Sequence, residues 1–170
     1  MNWLIIFIIL LLSTFAFAGY SFAPWVPVRK KDLERISKLA NFKPNDTFYE
    51  LGCGDGRVIF YIAKNFPIKA VGLEIAFPLY LICKLRQFIS GQKNINIKYK
   101  SLFKENLSQA DVIYFFGIPK NIKNKLKQKL ELEAKAGARI ISYVFPIEGW
   151  QPLAVDKPSS KQVAIYLYIK

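Results

Sequence analysis

The chain contains no histidine. That absence excludes Ser-His-Asp and Cys-His nucleophilic catalysis, and any His-ligated zinc, from residues of this chain. Cysteine is nearly absent too. Cys53 and Cys83 have neither metal-ligand spacing nor the density of a disulfide framework, which fits a reducing compartment. Acidic residues are scarce: 12 against 25 Lys and Arg, for a net charge of +13. No charged residue of either sign occurs before Arg29, so the whole excess belongs to the chain from Arg29 to Lys170. The lysines are scattered and no nucleic-acid recognition module is visible, so the excess reads as solubility plus attraction to an anionic surface; no nucleic-acid partner is expected. The length of 170 residues suggests one domain after the uncharged start.

The uncharged start is itself a feature. Trp3–Phe22 is dominated by Leu, Ile, Phe and Ala, and about 20 such residues suffice for a helix to cross the hydrocarbon core. Arg29, Lys30 and Lys31 follow closely and place the downstream domain on the cytoplasmic side. The rival reading is a cleaved signal peptide with Ala16-Phe17-Ala18 at the cleavage site, but no cation precedes the run. Residues 1–22 are therefore expected to form a single-pass anchor that contributes nothing to cofactor binding. Residues 23–29, with Pro24, Trp25 and Pro27, are expected to be a stiff juxtamembrane linker, and residues 30–170 the working domain.

The rest is organised around Thr47–Arg57, TFYELGCGDGR. Phe48, Tyr49 and Leu51 form a buried strand; Gly52, Gly54 and Gly56 form a tight turn; Val58, Ile59, Ile62 and Ala63 recur at helical spacing. A glycine turn lets a ligand lie against bare main chain, and the free N–H groups of the next helix face it. The spacing G-x-G-x-G differs from the dinucleotide pattern G-x-G-x-x-G, and Glu50, two residues ahead, suits a ligand with an ammonium group better than a pyrophosphate. A second strand over Ile68–Leu73 ends in Glu74, about 20 residues beyond the turn, where an acidic residue accepts from ribose hydroxyls. Helices are expected over Lys30–Ala40, Phe77–Ile89 (packed on the sheet) and Lys120–Ala136. Further strands are expected over Ile95–Tyr99 near an edge, Asp111–Phe116 and Arg139–Phe145, with a closing antiparallel hairpin from Leu153–Val155 and Val163–Ile169.

The pattern from Glu50 to Gly56 resembles motif I of the class I S-adenosylmethionine-dependent methyltransferases. The apolar start, Pro24-Trp25-Val26-Pro27, Phe115-Phe116-Gly117-Ile118-Pro119 and Phe145-Pro146-Ile147-Glu148-Gly149-Trp150 narrow this. Together they resemble the membrane-tethered lysine methyltransferases of mitochondria, which act on the adenine nucleotide translocase and the ATP synthase c subunit, and their prokaryotic relatives. The resemblance implies an α/β Rossmann-like, mostly parallel sheet with an antiparallel last strand, and S-adenosyl-L-methionine as cofactor. It implies cofactor contacts from Glu50, Gly52, Cys53, Gly54, Asp55, Gly56, Glu74, Ser101 and Leu102; Ser101 stands where many members carry an acidic residue for the adenine amino group. Tyr114, Phe116 and Trp150 are the candidates for an acceptor channel, with Phe115 and Phe145 beside them. No metal is expected. The implied acceptor is a protein lysine, with a membrane-embedded protein as the expected partner. A quinone or phospholipid acceptor, and a non-catalytic ligand-binding role, are the alternatives.

Overall fold

A computed structural model describes residues 22–170 and, before them, positions 2, 3, 5, 6, 9, 12 and 13. The expected anchor over Trp3–Phe22 and the Ala16–Ala18 cleavage site thus lie, but for those positions and Phe22, outside the described residues. Among the described residues no helix is long and apolar enough to cross a membrane.

Helix α1 (Lys30–Ala40) buries Leu33, Ile36 and Ala40 at helical spacing and stops where Asn41 turns left-handed. Strand β1 (Thr47–Leu51) leads through the glycine turn into α2 (Arg57–Asn65). Strand β2 (Lys69–Glu74), helix α3 (Phe77–Ser90) and strand β3 (Ile95–Tyr99) follow. After a short 3-10 turn (Leu102–Lys104) comes β4 (Val112–Phe116). Helix α4 (Pro119–Asn121) continues through a wider π-helical turn (Ile122–Leu126) into α5 (Lys127–Glu133), and β5 (Arg139–Tyr143), β6 (Ala154–Asp156) and β7 (Ile165–Ile169) complete the chain.

The strands form one seven-stranded sheet in the order β3-β2-β1-β4-β5-β7-β6. The first five are parallel, and β7 runs antiparallel to both β5 and β6. This is the Rossmann-like sheet expected, with its order reversing between β1 and β4. Ligands of open α/β sheets lie beyond the carboxyl ends of the strands at such a reversal. Two apolar cores flank the sheet. Phe48, Ile36, Ile59 and Tyr114 belong to one, and Leu51, Leu107, Phe115 and Leu126 to the other.

Two elements depart from the sequence-based expectation. Helix α3 exists, but only Leu79 and Cys83 are buried in it; most of its apolar side chains face outward. The segment 23–29, expected as a stiff linker ahead of the domain, lines the cavity as far as Val28, and so does Phe22, expected in the anchor and apart from the site. Phe22 is buried among Leu102, Phe103 and Phe115, and its carbonyl accepts from Asn121 Nδ2 at 2.9 Å. Val28 is buried in the opposite core beside Leu33. Phe22–Val28 is therefore a strap that passes from one core to the other and walls the cavity at the carboxyl ends of the strands. Its two ends are fixed by the buried Phe22 and Val28, while Pro24 and Pro27 between them are exposed and stiffen the crossing.

Candidate active site

The cavity is lined by the strap, by Glu50 and the glycine turn, by Glu74 and the residues after it, by Ser101–Phe103, and by Tyr114 and Phe116. Glu50 and Glu74, on neighbouring strands, both line this cleft.

Glu50 is buried, and its Oε2 accepts from the Ile59 N–H at 2.8 Å, inside the first turn of α2. Burial pushes its pKa well above the ordinary carboxylate value; the nearby Cys83, Asp55 and Glu74 push the same way, and the Ile59 hydrogen bond opposes them. A buried carboxyl with no cation beside it is suited to a ligand that brings one.

Glu74 accepts from Gly54 N at 2.7 Å through Oε2, and from Ile75 N at 2.8 Å and Ala76 N at 2.7 Å through Oε1. Burial raises its pKa, and those three hydrogen bonds pull it down. An ionised carboxylate has about four lone-pair sites, so roughly one remains for a ligand hydroxyl. The Gly54 bond ties the glycine turn to the end of β2, and the Ile75 and Ala76 bonds fix the backbone just beyond it, a structural duty that strand position alone does not reveal.

The turn is bare main chain where it faces the cavity. A Cβ placed on Gly52, whose φ is +83°, would meet nothing within 4 Å. At Gly54 the Trp25 indole lies against the backbone, so close that a Cβ would come within 2.7 Å of Cδ1. Trp25 is thus a wall of the site, although its proline-flanked surroundings read as a linker; the Pro24-Trp25-Val26-Pro27 pattern is the available signal. Cys53 and Cys83 are free and buried, their sulfurs 4.0 Å apart, and Cys83 Sγ donates to the Gly54 carbonyl at 3.1 Å. The Cys83 contact and burial raise the Cys53 pKa well above its ordinary value.

Asp55 uses its carboxylate within the protein. It pairs with Arg57 at 2.9 Å and Arg86 at 3.3 Å, and Arg86 also donates to its carbonyl. Burial would raise its pKa, but the Arg57 hydrogen bonds and the charges of both arginines outweigh that and lower it. Asp55 thereby clamps the glycine turn to α3. Ser101 and Leu102 line the far side of the cavity; Ser101 caps the short turn by accepting from Phe103 N at 3.4 Å.

Tyr114 and Phe116, expected in the acceptor channel, both line the cavity. Tyr114 is register partner to Glu50 on the adjacent parallel strand, so the two side chains leave the same face of the sheet. Its hydroxyl is buried and has no hydrogen-bond partner among the described residues. Burial, with Glu50 second, raises its pKa well above 10.0.

Two expected site residues are not brought to the cavity. Gly56 instead begins α2 with a φ of +81°, and it is crowded by Phe60 and Cys83, so its role is the turn itself. Trp150 packs edge-on against Tyr168 at 5.8 Å, with its Nε1 donating to Glu131 at 3.2 Å. Phe115 faces the opposite core, and Phe145 reaches the site only by stacking on Phe116 at 6.3 Å. These rings fill space between elements, as large aromatics often do.

Two carboxyls, an open glycine backbone and an unpaired hydroxyl in one apolar cleft fit a cationic ligand that carries hydroxyls. Residues 50–154 match the ANTKMT methyltransferase domain family. The chain belongs to that family. A protein-lysine N-methyltransferase of Saccharolobus islandicus is 36% identical over 155 residues, covering 86% of this chain and 92% of that protein. A mouse lysine N-methyltransferase that acts on the ATP synthase c subunit is 33% identical over 131 residues, covering 76% of this chain and 51% of that protein. This chain thus spans about half of the mouse protein's length. Among solved structures, an RNA methyltransferase from Salinibacter ruber in complex with S-adenosyl-L-homocysteine superposes with a TM-score of 0.79 at 25% identity. It covers 85% of this chain and 93% of that one. The chain is an S-adenosylmethionine-dependent methyltransferase, and S-adenosylmethionine is its methyl donor. In this methyltransferase Glu50, Glu74, Gly52 and Gly54 line one cavity, with the backbone open at Gly52 and covered by the Trp25 indole at Gly54.

Proposed function

We propose that this methyltransferase acts on a lysine side chain of a protein, at a membrane to which the apolar run ahead of Phe22 holds it as a single-pass anchor with the domain on the cytoplasmic side. The observation that carries the acceptor reading is the buried Tyr114 hydroxyl beside Glu50, which has no partner among the described residues. The names of the relatives from Saccharolobus islandicus and mouse, both lysine methyltransferases, support it. The anchor reading is supported by the uncharged run to Val28 and the cations at Arg29, Lys30 and Lys31.

When bound, S-adenosylmethionine supplies an electrophilic methyl group that a neutral amine displaces from sulfur in line. The chain's task is to position the two partners and keep water out. A free lysine has a pKa near 10.4, so about 4–5 kcal/mol separates it from its neutral form at pH 7. An apolar cleft walled by Phe116, Trp25 and Phe22 disfavours the ammonium and lowers that cost. The Tyr114 oxygen accepts an amine hydrogen and thereby aims the lone pair. The amine leaves its proton with solvent before it enters the cleft, and the methylated ammonium departs as product.

The test is to incubate the full-length protein and membranes with methyl-labelled donor, then separate protein, lipid and RNA. Label on lysine, confirmed by mass spectrometry of the modified peptide, is expected. Label confined to lipid, quinone or RNA would overturn the lysine reading, and recovery of the protein cleaved after Ala18 would overturn the anchor.

A further inference from the structure

Helix α3 carries an apolar stripe that the described residues leave uncovered. Phe77, Leu81, Leu85 and Phe88 recur every three or four residues, and Ile82 and Ile89 widen the stripe along one border. All six are exposed, Phe88 by 86% and Ile89 by 74%. Single exposed apolar residues are ordinary on a protein surface, whereas a contiguous row along a whole helix marks an interaction site.

What the stripe meets is set by its borders. Lys84 lies on one flank, Arg86 on the other with its guanidinium paired to Asp55, and Lys93 follows just past the helix end. Helix α3 contains no acidic residue. An outward apolar face bordered by cations is the arrangement that lies in the headgroup region of an anionic bilayer. The net charge of +13 has the same sense. The stripe also begins at the active site: Ala76 and Leu79 line the cavity, and Phe77 meets Tyr99 of β3 edge-on at 5.5 Å.

We propose that α3 is a membrane-contact surface in its own right. Its apolar stripe lies among the lipids of an anionic leaflet, with Lys84 and Lys93 at the headgroups, and it brings the rim of the cavity to the bilayer surface. This contact is separate from the N-terminal run and independent of which group accepts the methyl.

The test uses the full chain. A bimane label is attached to Phe88→Cys and, as a control, to Ser160→Cys in the exposed connection between β6 and β7. Unsubstituted protein reports the background from Cys53 and Cys83, both buried. Vesicles are of phosphatidylcholine with or without phosphatidylglycerol, and quenching by bromine-bearing acyl chains is compared with quenching by aqueous iodide. The expected result is acyl-chain quenching at position 88 several-fold above that at 160, dependent on phosphatidylglycerol. Lys84→Glu combined with Lys93→Glu should abolish the difference. Equal iodide access at both positions would overturn the proposal. So would shielding of position 88 from both quenchers, which would mean that the chain's own N-terminal run or a second copy covers the stripe. Both readouts are independent of methyl transfer, so a failure here is distinct from a failure of the lysine reading.

Discussion

Glu50 and Tyr114 stand side by side on adjacent parallel strands, both buried, and both open into the cavity that the glycine turn lines. One is a carboxyl lifted in pKa by burial, and the other a hydroxyl with no partner among the described residues. Glu50 has one hydrogen bond from the protein, from the Ile59 N–H, and the Tyr114 hydroxyl has none among the described residues, so each has bonding capacity left for a ligand.

Glu50→Gln separates binding from stability. The folded-state pKa of Glu50 is raised, so ligand-free stability is greatest below its unfolded value and falls as pH rises toward the folded one. The amide cannot ionise and still accepts from Ile59. Ligand-free Glu50→Gln is therefore expected to melt at or above the parent temperature at pH 7, with the parent's decline from acid toward neutral pH reduced. Its affinity for S-adenosylmethionine should fall about 30-fold or more, the cost of removing one side of a buried charge pair. Calorimetric titration beside thermal melts checks both halves.

Tyr114→Phe removes a buried hydroxyl that pairs with nothing among the described residues. Stability is expected to hold or rise by about 1 kcal/mol. Donor affinity should stay unchanged while turnover falls about 10- to 100-fold from lost orientation of the amine. The raised pKa keeps Tyr114 neutral through the working range. The parent's rate should thus rise with pH as the acceptor amine deprotonates, with no falling limb below about pH 10. A falling limb near neutrality would mean another group titrates in the reaction.

Glu74→Ala leaves the N–H groups of Gly54, Ile75 and Ala76 without their acceptor. The expected result is loss of donor affinity by about 10- to 100-fold together with a drop in stability of about 1–3 kcal/mol. Loss of affinity with an unchanged melting curve would show that the carboxylate serves the ligand alone.

Phe22→Ala tests the strap. The ring fills the space over Gly117 and packs edge-on against Phe103 at 6.0 Å and Phe115 at 6.3 Å. Truncating it should cost about 3–5 kcal/mol, as for a buried Phe. A chain beginning at Lys30, which lacks the strap altogether, should bind the donor more weakly, because Trp25 no longer walls the turn. Full affinity in that shortened chain would remove the strap from the site.

Local pattern reveals β1, the glycine turn and α2, because strand alternation, glycine spacing and helical period all change within a few residues of one another. Glu50 and Glu74 are legible for the same reason: each sits at a position whose place at the strand end follows from chain order. Chain order does not report contacts between segments far apart in sequence. Phe22 meets Gly117 and Asn121 across the fold, so a proline-rich stretch beside an apolar run reads as a spacer. Trp150 and Tyr114 look alike as aromatics, yet one fills a gap beside Tyr168 and the other opens into the cavity. In α3 apolar composition suggests burial, although nothing in composition says which face has a partner.

The strap also sets how far this enzyme can reach. A domain on a slack linker sweeps a volume that grows with linker length and meets acceptors in any orientation within it. Here Phe22, the last residue of the apolar run, is already part of the fold, and the next few wall the cavity. If the proposed anchor ends directly ahead of Phe22, it holds that mouth close to the bilayer surface. Acceptor side chains presented at that depth are within its working radius, and those displayed further from the point of attachment are not.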